Sequence, residues 1–189
     1  MTDINEITQR LRAVLSQKRY CHSLGVASLA REMARAFGAD QDKAYLAGLL
    51  HDCAKLPERM AELTDKYGDM LDSETLLCPP VVHAPLGAIL AREEYGITDS
   101  EVLCAIARHT VAGEGMSLLD KIIYIADMAE VGRDFDGVDL IRKYCLTDID
   151  KAYKTTLSQS LMFNIKEGNR LHPDTLRAWN EFLLTEEKL

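Results

Sequence analysis

The chain carries five histidines, His22, His51, His83, His109 and His172, and two carboxylates in unusual settings. Asp52 directly follows His51 at the end of the small-residue stretch Ala47-Gly48-Leu49-Leu50. Asp127 interrupts the apolar run Ile122-Ile123-Tyr124-Ile125-Ala126. An ionised carboxylate among apolar neighbours is costly unless it is paired or bound to a cation. Imidazole nitrogen and carboxylate oxygen together suit iron, manganese or zinc, and one divalent ion would neutralise both Asp52 and Asp127. Taken singly, each residue has a plainer account: a lone histidine on an inner helix face is usually a hydrogen-bonded core residue, and a lone aspartate often sits at a bend or beside an arginine. Neighbouring His and Asp cannot easily converge on one point from a regular helix, but they can where a helix ends, and Lys55-Leu56-Pro57 looks like such an exit.

Helices must position these groups. Long alternating β-branched runs are absent, and apolar residues recur at three- and four-residue spacing, so the fold class is all-α. The spacing predicts a first helix over residues 4–18, with Ile4, Ile7, Leu11 and Val14 or Leu15 on one face. A second is expected over 21–37, carrying His22, Val26, Leu29 and Met33 in one stripe and stopped by Gly38. A third, capped by Asp40, runs over 41–53 and offers Ala44, Ala47, Gly48 and His51 to a close neighbour. Pro57 and Cys78-Pro79-Pro80 bracket a polar stretch read without helix, and further helices follow over 81–95, 100–109, 118–130 and 148–167. The last opens at Asp174 or Thr175 after the His172-Pro173 turn, with Leu176, Trp179 and Leu183 inward. The charged Glu186-Glu187-Lys188 end reads as frayed.

With 189 residues the chain suits one domain, a core over about 18–130 with helices over about 137–189 packed on it. Twenty-two basic against 30 acidic residues give a net charge of −8, which argues against a nucleic-acid partner but not against a small anion held by a few focused cations. No apolar stretch is long enough for a membrane partner, and Met1 to Arg10 has no leader-like apolar segment. The five cysteines form no CxxC pair, so reduced thiols in a cytoplasmic protein are expected, with Cys53 a small buried apolar residue.

In order along the chain, His22, His51-Asp52 and Asp127 resemble the H…HD…D pattern of the HD-domain phosphohydrolase superfamily. The segments Arg19-Tyr20-Cys21-His22, His51-Asp52-Cys53-Ala54-Lys55, Val82-His83-Ala84-Pro85, Arg108-His109-Thr110, Ala126-Asp127 and Leu171-His172-Pro173 narrow the resemblance to its YqeK-like group of bacterial symmetrical diadenosine tetraphosphate hydrolases. Cys21 departs from the polar residue expected beside the first ligand.

The resemblance implies a compact HD-domain helical bundle with a C-terminal helical extension, and a metal held by His22, His51, Asp52 and Asp127. The metal would be iron, with manganese, cobalt or zinc as alternatives, and one ion rather than two. It also implies catalytic roles for Asp52, His83 and His109, with the two histidines facing the phosphates. Substrate contacts would come from Arg19, Lys55, His83, His109, Thr110 and Arg133, with Arg170 and His172 in the segment covering the nucleoside. A protonated His83 or His109 would then serve as proton donor while metal-activated water attacks the polyphosphate bridge, giving two ADP. Two points stay open: whether His83 and His109 recruit a second ion bridged by Asp52, and whether His172 packs in its turn or touches substrate. The partner is then a small dinucleoside polyphosphate or ADP, and a homodimer is an open alternative. Two other readings keep the fold: a nucleotide phosphatase or phosphodiesterase with a different substrate, and a non-catalytic nucleotide-sensing module.

Overall fold

The computed structural model describes residues 4–186, which form helices and turns without a strand. The helices are α1 (Ile4–Val14), α2 (Gln17–Phe37), α3 (Gln41–Leu50), α4 (Met60–Tyr67), α5 (Ser73–Leu76), α6 (His83–Glu93), α7 (Ser100–Arg108), α8 (Leu118–Ala129), α9 (Val138–Tyr144), α10 (Ile149–Lys166) and α11 (Pro173–Glu186). Single 3₁₀ turns occupy Gly68–Met70 and Pro79–Val81. Glu186 closes α11, while Glu187 and Lys188 of the expected frayed end lie outside the described residues.

The most intimate pairing is α2 with α3. Gly38 turns the chain with φ +76°, and Asp40 accepts from the amides of Asp42 and Lys43 to start α3. At Gly48 the two backbones nearly touch: a Cβ there would lie 2.8 Å from Ala27 Cα. α8 is the central helix. It starts with a capping box between Ser117 and Asp120, and it buries Leu119, Ile122, Ile123, Tyr124, Ile125 and Ala126, so side chains cover it nearly all round. α2, α3 and α7 pack on it, and α6 packs on α7. α9 and α10 also pack on α8, and α11 lies on α10. No helix among the described residues is long and apolar enough to cross a membrane. All five cysteines are free thiols, with Cys53, Cys78 and Cys145 buried and Cys21 and Cys104 exposed.

Several expected boundaries are corrected. The first helix stops at Val14 instead of running to 18, because Ser16 leaves helical geometry (ψ 151°) and its hydroxyl caps the amide of Arg19. α2 therefore begins before residue 21, and Arg19 and His22 share one face a turn apart. α3 ends at Leu50 rather than Cys53, and residues 51–54 form a turn. The expected loop between the two proline breaks contains α4, and α9 was likewise not expected. On α11 the inward stripe is Thr175, Ala178, Trp179 and Phe182, while Leu176 and Leu183 are exposed. Thr175 sets this face by donating its hydroxyl to Val111 O at 2.8 Å.

Candidate metal centre

The site is assembled from helix ends. His51 is the residue after α3 and His109 the residue after α7, and each uses the same local device. His51 Nδ1 lies 2.7 Å from Gly48 O and His109 Nδ1 lies 2.7 Å from Ile106 O. A carbonyl only accepts, so in each ring Nδ1 carries the proton and Nε2 presents a lone pair. His22, in the second turn of α2, has Nδ1 3.1 Å from Glu130 Oε1, which fixes the same tautomer. His83 opens α6, and Asp127 lies in the last turn of α8.

These Nε2 atoms converge with the carboxylates. His22 Nε2 lies 2.9 Å from Asp127 Oδ1 and 3.2 Å from His51 Nε2. His51 Nε2 lies 3.4 Å from Asp52 Oδ2 and 3.7 Å from Asp127 Oδ1. On the other edge of Asp52, Oδ1 lies 3.2 Å from His83 Nε2 and 3.6 Å from His109 Nε2, and these two nitrogens are 3.3 Å apart. Asp52 is 1% exposed, and its Oδ1 has no partner in hydrogen-bond geometry.

This donor set fits a divalent cation. The Nε2 lone pairs of His22 and His51 face each other beside two carboxylate oxygens, an arrangement that repels unless positive charge sits among them. His22, His51 and Asp127 form one group able to hold an ion, and His51, Asp52 and His109 form another that overlaps it.

Burial opposes ionisation of Asp52, but His51 and the facing imidazoles of His109 and His83 outweigh it and hold the carboxyl well below the usual range. Asp127 is likewise pulled down against burial by His22, His51 and Arg133. Burial pushes His83 from 6.5 to about 4, with Asp52 opposing and His109 and Lys55 adding to the drop. In the metal-free site, His83 is therefore neutral at pH 7.

Cations rim the cluster. Arg19 Nη1 donates to Asp52 Oδ2 at 2.5 Å, Arg133 Nη2 donates to Asp127 Oδ1, and Lys55 Nζ lies 3.8 Å from Asp52 Oδ1. A cavity of about 430 Å³ lined by Lys18, Arg19, His22 and Arg133 opens beside them. Arg170 and His172, two of the remaining expected contacts, have partners within the protein. Arg170 pairs with Glu74 of α5 at 2.6 Å. His172 is buried, with Nδ1 accepting from the Asp174 amide at 3.2 Å and Nε2 3.3 Å from Thr75 Oγ1. Thr110 lines a cavity of about 130 Å³ with Asp72, Thr75 and Asp174, and its hydroxyl is unpartnered. Sequence reading missed Lys18 and Glu130; the spacing of Glu130, three residues after Asp127, was the available signal.

The family model described as "HD domain" matches residues 19–132. The chain is 38% identical over 181 residues to the symmetrical bis(5'-nucleosyl)-tetraphosphatase of Halalkalibacterium halodurans, covering 95% of this chain and 96% of that one. It is 38% identical to the Bacillus subtilis protein of the same name, over 88% and 90% of the two chains. A crystal structure from Clostridium acetobutylicum, described as a "predicted HD superfamily hydrolase involved in NAD metabolism", superimposes with a TM-score of 0.91 at 41% identity, over 98% of this chain and 99% of that one.

Proposed function

The chain belongs to the HD domain family, and on that premise we propose that it is a metal-dependent hydrolase that splits diadenosine tetraphosphate symmetrically into two ADP. The observation that carries the reading is the convergence of the His22 and His51 lone pairs, 3.2 Å apart, on Asp52 and Asp127. These four residues are the metal ligands, and iron is the metal, with manganese, cobalt and zinc as the alternatives. When bound, the cation supplies an activated water and Lewis acidity toward a phosphoryl oxygen.

The chain's own residues supply the rest. Asp52 and Asp127 neutralise the ion. Arg19, Lys55 and Arg133 bind the phosphates; a tetraphosphate bridge needs such focused cations on a chain of net charge −8. His83 orients a phosphoryl oxygen from the Asp52 Oδ1 edge, and His109, 3.3 Å from it, takes a proton from the attacking water on its Nε2 lone pair and then passes that proton to the leaving group. In a second reading His83, His109 and Asp52 would hold another ion, and the unpartnered Asp52 Oδ1 favours it. The protein works as a single HD domain in the cytoplasm, in keeping with its free thiols.

The test is metal analysis of protein purified without chelator, with chromatography of the products from a small nucleotide panel. ADP as sole product from diadenosine tetraphosphate is expected, and Asp52→Ala should lose both metal and turnover while remaining folded. Products of ATP and AMP, or no turnover with iron, manganese or cobalt supplied, would refute the proposal; turnover of another nucleotide instead would favour the phosphatase or phosphodiesterase alternative.

A further inference from the structure

We infer that Glu130 is a positioning residue for the metal: through His22 it fixes the tautomer, direction and basicity of one ligand. The inference rests on reading His22 as a ligand. Glu130 follows the last residue of α8, where a carboxylate ordinarily faces solvent, yet it is only 4% exposed. Its Oε1 lies 3.1 Å from His22 Nδ1, and its Oε2 accepts from the Gly132 amide at 2.6 Å.

The surroundings are shaped for this carboxylate. A Cβ at Gly25 would lie 2.5 Å from Glu130 Oε2, and one at Gly132 would lie 2.9 Å from Oε1. Gly25 is in the body of α2, where glycine costs about 1 kcal/mol relative to alanine, so its presence calls for a compensating contact. The backbone that carries Glu130 is itself held: Arg142 donates from Nη2 to Glu130 O at 2.8 Å and from Nε to Ala129 O at 3.0 Å.

The consequence is a single imidazole gripped at both edges by one helix end. Asp127 Oδ1 approaches His22 Nε2 at 2.9 Å, while Glu130, three residues on, holds Nδ1. With the proton kept on Nδ1, Nε2 cannot carry one in the neutral ring and stays available to a cation. A carboxylate partner also raises the electron density the ring donates. The acid thus acts on the metal without touching it.

Glu130→Gln tests this by removing the charge while keeping the shape. Isothermal titration of chelator-treated protein with manganese, and the visible spectrum of the cobalt form, read the effect directly. We expect manganese affinity to fall 10- to 100-fold, the cobalt bands to shift, and turnover to recover as manganese is raised, with the metal-free unfolding midpoint little changed. Gly25→Ala, which displaces the same carboxylate without altering its charge, should weaken manganese binding in the same direction and covers the case of a glutamine variant that does not fold. Manganese binding within twofold of wild type in both variants, with an unshifted cobalt spectrum, overturns the inference. A His22→Ala variant that binds manganese as wild type does overturns the ligand reading beneath it, so the two failures are distinguishable.

Discussion

The buried neutral His83 makes the metal-free protein sensitive to mild acid, by an amount the structure allows to be worked out. Burial lowers its pKa from 6.5 to about 4. Between those values the unfolded chain binds a proton at this residue and the folded chain does not, so stability falls as pH drops. The contribution is complete above pH 6.5 and lost by about pH 4. Each pH unit of difference is worth about 1.4 kcal/mol, so the loss approaches roughly 3 kcal/mol, most of it by pH 4.5. For a chain of this size that is roughly 10 °C in unfolding midpoint. Asp52 and Asp127, whose carboxyls are held below the usual range, lose their contributions only at still lower pH and leave the window free. The assay is thermal or urea unfolding of chelator-treated wild type and His83→Gln at pH 7, 6, 5 and 4.5. The variant should show the flatter dependence. Equal losses of stability in the two proteins between pH 7 and 4.5 would refute the reasoning, since His83 would then be titrating normally in the folded state.

Gly48→Ala should destabilise by about 2–3 kcal/mol, because the new Cβ meets the Ala27 backbone at 2.8 Å and backbone cannot step aside; it should also weaken manganese binding, since Gly48 O orients His51, and a urea midpoint and manganese affinity equal to wild type would count against both statements. Thr75→Val leaves buried His172 without its hydroxyl partner and should cost about 1–2 kcal/mol, read by urea unfolding, with an unchanged midpoint as the contrary result.

Much of the helical layout was legible because its boundaries are chemical. Asp40, Asp99, Ser117 and Asp148 each cap the helix expected after them, and Gly38 ends α2 as expected. The misreadings have the opposite character. At Ser16 the apolar spacing of α1 carries on into Leu15 and hides a cap that only the turn geometry reveals. α4 and α9, at 8 and 7 residues, are too short and polar for periodicity to stand out, and packing decides them. On α11, leucines at two positions suggested a face that the contact of Thr175 with Val111 rotates away.

The site was legible for a different reason and to a different depth. His51-Asp52 and Asp127 stand out because buried charge needs a partner, and that argument identifies residues without geometry. What the residues do there depends on helix ends, where free carbonyls and opened backbone are available. Gly48 O and Ile106 O, unclaimed by their own helices' next turns, take the Nδ1 protons of His51 and His109 and thereby turn both Nε2 atoms inward. Glu130 escaped notice because an acid just past an apolar helix looks solvated, whereas Gly25 and Gly132 make room for it inside. Arg170 and His172, which the family resemblance placed in the segment covering the nucleoside, have protein partners in Glu74 and Thr75 that no spacing in the sequence announces. Side chains whose role is set by a buried charge can be found from sequence, while those whose role is set by which carbonyl or glycine lies across the fold become visible only once the helices are packed.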